Sequence, residues 1–392
     1  MFSWNRLHKG VKALFFVQIV NRMGDFVVPF LTLILTQVQG FSLPVAGIVV
    51  TLATALGSLG GLVAGRLSDR HSRRNVLVLF LGISGLLLAA AGFAPASLTA
   101  AVAMVASGFF FGAMRPIINA LVADLCDETT RRAAFSLSYL GINLGVSIGP
   151  VLAGWLFQNA LNWLFWLDAV STGAALVILI GFVPRNSRPL LLPQDTAAHE
   201  SPALTAFLRH PILLPFSLLL LVYDFVYAQM IFTLALQMVD LFGPSGPQTY
   251  GLVWAVNAVA CLTLTPLALK FTEKWTNLTS MACGMGFFTA GTAVFLVRPS
   301  LALVVVSTVI WTTGEVLFSI HMGDLISSQS PPDRRGRFQA YVAFLGSFGF
   351  VVAPMVSGLV AQVLGLAGIW WFSTVLVALA GVGFALLNRK LT

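Results

Sequence analysis

Residues 43–94 read LPVAGIVVTLATALGSLGGLVAGRLSDRHSRRNVLVLFLGISGLLLAAAGFA. Two apolar runs, 43–66 and 76–94, flank a short polar segment that carries Asp69, Arg70, Arg73 and Arg74. Each run has the length of a helix that crosses a hydrocarbon layer of roughly 30 Å. Lipid offers no partner to free backbone groups, so both runs must close their hydrogen bonds internally, as helices. The runs are continuous rather than alternating, which excludes a membrane β-barrel. The stretch reads as two membrane helices joined by a tight basic turn.

The same pattern extends in both directions. Twelve apolar stretches follow one another: 12–36, 43–66, 76–94, 98–123, 133–157, 162–184, 211–239, 248–270, 278–297, 300–325, 338–364 and 367–388. Of the 392 residues, 58% are hydrophobic and only 9% are charged, too few for the surface of a soluble chain of this size. Residues 1–12 are short and polar and lead into an apolar run long enough to stay in the membrane, so no cleavable signal is expected.

The net charge of +8 raises the question of nucleic acid, but the positions of the charges answer it. Of the 22 Lys and Arg residues, 19 fall at the two ends and in alternate loops, Arg298 alone falls on the opposite side, and Arg22 and Arg115 lie within spans. This is the positive-inside distribution. It predicts both termini in the cytoplasm of a bacterial-type inner membrane, and no nucleic-acid partner. The three cysteines, Cys126, Cys261 and Cys283, are scattered. No disulfide framework, metal site or cofactor is expected from them. No phosphate-binding loop occurs, so transport driven by ATP is not supported.

The longest polar interruption, 186–210, reads as a cytoplasmic linker between residues 1–185 and 211–392, six spans each. The halves look like repeats. A shift of 204 places Gly145, Pro150 and Gly154 on Gly349, Pro354 and Gly358, Asp69-Arg70 on Glu273-Lys274, and Arg131 on Arg335. A shift of 200 places Asp124-Leu125 on Asp324-Leu325. The expected fold is all-α, with twelve transmembrane helices in two pseudo-symmetric six-helix bundles.

The segment Gly65-Arg-Leu-Ser-Asp69-Arg70-His-Ser72-Arg73-Arg74 resembles the G-x-L-A-D-R-x-G-R-R signature of the major facilitator superfamily. Ser68 and Ser72 stand where the signature has Ala and Gly. Gly57, Gly61 and Gly65 share one helical face and are expected to let another helix approach. The resemblance implies that Asp69 lies against the start of span 11, where a helix N-terminus favours a carboxylate. Gly65, Asp69, Arg70, Arg73, Arg74, Asp124 and Arg131 would then form a conformational latch. In span 5, Gly145-x-x-x-Gly149-Pro150-x-x-Ala153-Gly154 resembles the packing motif of the drug:proton antiporter branch, with Ala153 in place of Gly. Pro150 bends its helix and the glycines permit close packing. Arg115-Pro116, Ala123-Asp124-Leu125, the stretch Phe135 to Gly145, and Asn21-Arg22 through Pro29-Phe30 resemble the same branch. This resemblance implies export.

A charge at the centre of a span costs on the order of 3 kcal/mol. Few such charges persist without use, and the candidates are Arg22, Asp25, Arg115, Asp168, Asp224 and Glu315. Arg22 and Asp25 are three apart and can pair on one face. Arg115 and Glu315 each precede the Asp-Leu pair ending their span by nine residues. Equal depth on opposite halves suggests an ion pair that yields when Glu315 takes a proton. Asp168, beside Trp163 and Trp166, reads as an interface anchor, and His321 as a minor candidate for proton relay. The aromatics Tyr223, Phe225, Tyr227, Trp311, Phe318 and Phe109 to Phe111 are candidate cavity linings, suited to amphipathic or cationic compounds.

The leading expectation is a proton-coupled exporter of small amphipathic organic molecules working by alternating access, as a monomer surrounded by lipid. A symporter or uniporter for peptides, sugars or other metabolites is the alternative. A membrane enzyme is disfavoured because no catalytic constellation is visible. A non-transporting sensor is disfavoured because no large soluble domain is present.

Overall fold

The computed structural model of the protein describes residues 7–185, 200–331 and 335–390. It is helical throughout, with no strand among the described residues. Among the described residues, ten segments are long and apolar enough to cross a membrane. Eight coincide with one predicted span each. The other two, Leu213–Phe271 with 59 residues and Arg337–Asn388 with 52 residues, hold two predicted spans each. A straight helix of 59 residues would be about 89 Å long, nearly three times the bilayer core. The first long segment turns at a single 3-10 turn, Gly243–Ser245. The second turns at Gly365, whose φ of 68° lies in the left-handed region that favours glycine. The ten segments therefore contain the twelve predicted spans. The predicted linker, 186–210, lies outside the described residues as far as 199, and its remainder contains the helix Glu200–Leu208.

In chain order the α-helices are α1 Lys9–Met23, α2 Val27–Leu33, α3 Leu43–Arg70, α4 Arg73–Ala91, α5 Leu98–Phe111, α6 Met114–Asp124, α7 Glu128–Asn159, α8 Leu161–Phe182, α9 Glu200–Leu208, α10 Leu213–Gln229, α11 Thr233–Phe242, α12 Gly246–Phe271, α13 Asn277–Ala293, α14 Leu301–Gln329 and α15 Arg335–Asn388. Spans 1 and 4 are each broken in two. The α1–α2 break lies at Gly24–Phe26 and the α5–α6 break at Gly112–Ala113. Proline clashes with the carbonyl four residues before it. Pro29 and Pro116 put that carbonyl at Asp25 and Gly112, inside the two breaks. Span 7 is interrupted at Met230–Phe232, close to where the 204-residue offset carries the break in span 1.

The chain forms two compact units. The first comprises Met1–Ser42, Ile48–Pro193 and Phe242–Ala255, and the second Leu43–Gly47, Gln194–Leu241 and Val256–Thr392. In the first, α1 packs on α7 and α8, and α4 on α5 and α8. In the second, α10 packs on α15, and α13 on α14 and α15.

The glycines of span 5 and of its repeat explain this packing. A Cβ on Gly145 would meet the Ile19 carbonyl at 2.9 Å and one on Gly149 the Met23 carbonyl at 2.8 Å. Only glycine lets α7 lie so close to α1. A Cβ on Gly349 would likewise overlap the Leu221 carbonyl of α10. Farther along, a Cβ on Gly154 would meet the Pro247 carbonyl at 2.6 Å in the first unit, while Gly358 faces the Leu43 backbone in the second. Leu43 plus 204 is Pro247, so the two small exchanged segments are themselves repeat equivalents. In α3, a Cβ on Gly57 or Gly61 would meet the Gly108 or Gly112 carbonyl, at 3.2 and 3.0 Å. Gly65 does not share this role, because nothing lies within 4 Å of its Cβ position.

Candidate functional site

In the first unit the polar residues gather where α1 and α6 face each other. The helix α6 buries Met114, Ile117, Ile118, Leu121 and Val122, a stripe of helical period. Arg115 and Asn119, four apart, fall on its other face. They border a cavity of about 190 Å³ together with Gln18, Arg22, Phe135 and Ser138. Gln18 Nε2 donates to Ser138 Oγ at 2.6 Å. Arg22 Nη1 donates to Asp25 Oδ2 at 3.0 Å, and its Cζ lies 5.4 Å from the centre of the Phe111 ring. Arg115 makes no ion pair among the described residues.

Asp168 departs from its expected role. It is only 6% exposed, and its Oδ2 accepts from the backbone N–H groups of Phe26 and Val27, both at 3.1 Å. Breaking span 1 frees amide donors at the start of α2, and this carboxylate satisfies two of them. Asp168 therefore caps a helix inside the membrane instead of anchoring an interface. It also lies within electrostatic reach of Asp25. Nothing in the local sequence around 168 signals this, because its partners are 141 and 142 residues away.

In the second unit, Glu315 of α14 accepts from the Tyr227 hydroxyl at 3.0 Å and from Asn257 Nδ2 at 2.9 Å. Asn257 also reaches Thr312 Oγ1 at 3.0 Å. Both partners of the carboxylate are neutral, and it makes no ion pair among the described residues. Sequence reasoning missed Asn257 altogether. Around this group, Tyr223 stacks on Phe318 at 4.1 Å, and Phe288 lies 5.7 Å from Tyr223 and 6.0 Å from Trp311. Phe288, Trp311 and Phe318 are fully buried, so they belong to the packed interior of the unit and do not line an open cavity. Phe225 turns instead to Phe372, while Phe109 and Phe110 pack on Phe80. Asp224 carries no ion pair among the described residues and faces Gly346, whose Cβ position lies 3.0 Å from its Oδ2.

At the charged ends of the helices, Arg73 pairs with Asp124 and donates to the Ala120 carbonyl at 3.2 Å. Arg74 donates to the Ile180 carbonyl at 2.6 Å. Ser72, which replaces the signature glycine, donates to the Arg185 carbonyl at 2.8 Å. Asp69 and Arg70 are exposed. Residues 332–334, just before span 11, and the side chain of Arg131 lie outside the described residues. The second half repeats the Arg73–Asp124 contact with a neutral amide in place of the guanidinium, Asn277 Nδ2 donating to Asp324 Oδ2 at 2.7 Å. His321 joins this group, with its ring nitrogens 2.9 Å from Asn277 Oδ1 and Thr272 Oγ1.

The comparisons with known proteins agree with this architecture. An uncharacterized MFS-type transporter, YqjV, of Bacillus subtilis (strain 168) is 27% identical over 378 residues, covering 93% of this chain and 89% of the relative. A Na(+), Li(+), K(+)/H(+) antiporter of Planococcus maritimus is 24% identical over 401 residues, covering 90% and 89%. Among solved structures, a POT family transporter in complex with thioalcohol conjugated peptide superposes with a TM-score of 0.80 at 15% identity, covering 98% of this chain and 99% of that one. The sequence profile of the Major Facilitator Superfamily matches residues 14–337 and 229–391. This helical integral membrane protein, a transporter in two repeated halves, belongs to the Major Facilitator Superfamily.

Proposed function

We propose that the protein is a proton-coupled exporter of small amphipathic organic molecules, working by alternating access in a bacterial-type inner membrane with both termini in the cytoplasm. The observation that carries the coupling is the environment of Glu315. Its carboxylate sits in a span, with Tyr227 and Asn257 as partners and no cation in ion-pair contact among the described residues. Gain or loss of one proton there changes the charge of the site by a full unit. Asp25, Arg22, Arg115 and Asp224 are the other intramembrane charges of the cycle. One charge moving through about 100 mV supplies about 2.3 kcal/mol, which supports roughly a fifty-fold substrate gradient.

Export rests on the span 5 motif, and exchange against protons is supported by the antiporter relative. Gly65, Asp69, Arg70, Arg73, Arg74, Asp124 and Arg131 form the latch that favours one state of the cycle. The test is flux of fluorescent amphipathic probes of both charges in proteoliposomes under an imposed pH gradient. Glu315→Gln is expected to abolish gradient-driven flux and Asp25→Asn to reduce it. Unchanged flux in both variants would remove the coupling assignment. Counterflow with the gradient reversed separates export from the alternative of proton-coupled uptake of peptides, sugars or other metabolites.

A further inference from the structure

The geometry points to a subsite for the carboxylate of a small organic monoanion in the first-unit cavity, built on Arg115, Arg22, Asn119 and Ser138. The proposal deepens the transport reading and rests on it in one respect, that this cavity belongs to the substrate route.

The lining carries two guanidinium groups and no carboxylate of its own. Asp25 neutralises Arg22, which leaves the charge of Arg115 uncompensated among the described residues. Arg115 lies nine residues, about 14 Å of helix, before Asp124 at the end of its span. An arginine at that depth is sustained by a polar cavity and not by lipid. A site with one unbalanced positive charge suits a monoanion better than a cation or a phosphate dianion.

Free hydrogen-bond donors point the same way. Arg22 keeps a buried Nε–H that has no acceptor. Ser138 Oγ accepts from Gln18, so its own hydroxyl proton is uncommitted among the described residues. The Asn119 side chain makes no hydrogen bond among the described residues and offers its amide protons. An anion placed here would meet the Arg115 guanidinium, the Asn119 amide and the Ser138 hydroxyl. The planar fork of Arg115 matches a carboxylate in a two-point contact that a lone ammonium cannot reproduce. The volume, about 190 Å³, is below that of a drug-sized pocket. It holds an acid group with a small body attached, which makes it a subsite.

The test is binding, with no transport required. The purified full chain in lipid nanodiscs is titrated calorimetrically at neutral pH with acetate, benzoate and 3-phenylpropionate, each paired with its uncharged amide. At least one acid is expected to bind about tenfold or more tightly than its amide. Arg115→Gln should remove that preference and Arg115→Lys should restore part of it. If no acid is preferred to its amide in the unmodified protein, the subsite does not exist. The same conclusion follows if folded Arg115→Gln keeps the preference. Arg115-dependent binding of acids without any gradient-driven flux would sink the transport reading and leave the subsite standing. Glu315-dependent flux with no acid preference would do the reverse.

Discussion

A Cβ built on Gly145 would lie 2.5 Å from the Cβ of Arg22. The glycine that suggests the direction of transport in the sequence is thus the one that lets α7 touch the charged stretch of α1. The same side is crowded by backbone, with Met23 N at 3.0 Å. Because backbone cannot rotate away, Gly145→Ala should displace α1 and destabilise the protein by about 1–3 kcal/mol, in the manner of overpacking. Gly286→Ala, at a position with nothing within 4 Å, should be neutral or slightly stabilising through the higher helix propensity of alanine. Unfolding midpoints of the two variants in one detergent provide the comparison.

The cap that Asp168 places on α2 makes a second prediction. Asp168→Ala leaves the Val27 amide buried without its acceptor, at a cost of about 1–3 kcal/mol, while the Phe26 N–H keeps the Gly24 carbonyl at 2.9 Å. Asp168→Asn keeps an acceptor oxygen of the same reach and should lose much less. Equal losses for the two variants, measured by chemical unfolding in mixed micelles, would show that the cap contributes little.

Arg73 and Asp124 have side chains only 14% and 12% exposed. Removing one partner strands a charge that water reaches poorly. Arg73→Ala is expected to cost about 2–3 kcal/mol, somewhat less than breaking a fully enclosed pair. Replacing both at once, Arg73→Met with Asp124→Leu, should recover most of that loss. A double-mutant cycle gives the coupling directly. In the second half Asn277 meets Asp324, so Asn277→Ala should be the milder change.

Acid should weaken the start of α10. His210 Nδ1 accepts from the backbone N–H groups of Ile212 at 3.3 Å and Leu213 at 3.1 Å, which only an unprotonated nitrogen can do. Burial holds the His210 pKa below its ordinary value of 6.5, partly offset by the Gln329 backbone. The unfolded chain therefore takes up this proton first as pH falls. The contribution of His210 to stability is complete above about pH 6.5 and is lost as pH falls through the lower folded value. His210→Asn retains a capping acceptor that does not titrate. Its unfolding midpoint should fall less steeply than that of the unmodified protein on acidification from pH 7, and parallel pH curves would contradict the assignment.

Spans, loops and repeat were legible in the sequence because each depends on local quantities. A run of about twenty apolar residues must be helical in lipid whatever surrounds it. The offset of 204 reappears as packing, with Gly145 against α1 and Gly349 against α10, and that of 200 in the equivalent contacts of Asp124 and Asp324. The breaks in spans 1 and 4 lie four residues before Pro29 and Pro116, but Pro150 and Pro266 sit inside unbroken helices, so proline alone does not place a break. Even the pair Arg22–Asp25 was readable, since three residues on a helix suffice to bring them together.

Partners between helices were not readable. Nothing in the sequence pointed to Tyr227 and Asn257, 88 and 58 residues away, as the partners that hold the Glu315 carboxylate within its own unit. Asp168 looked like an interfacial residue until α8 was placed beside the break of span 1. Phe109 and Phe110 were equally eligible for core or cavity. Hydrophobic length determines that a segment crosses the membrane, but its rotation about its own axis is set by what it packs on. That rotation decided which charges meet, which donors are left over beside Arg115, and where a ligand can be held.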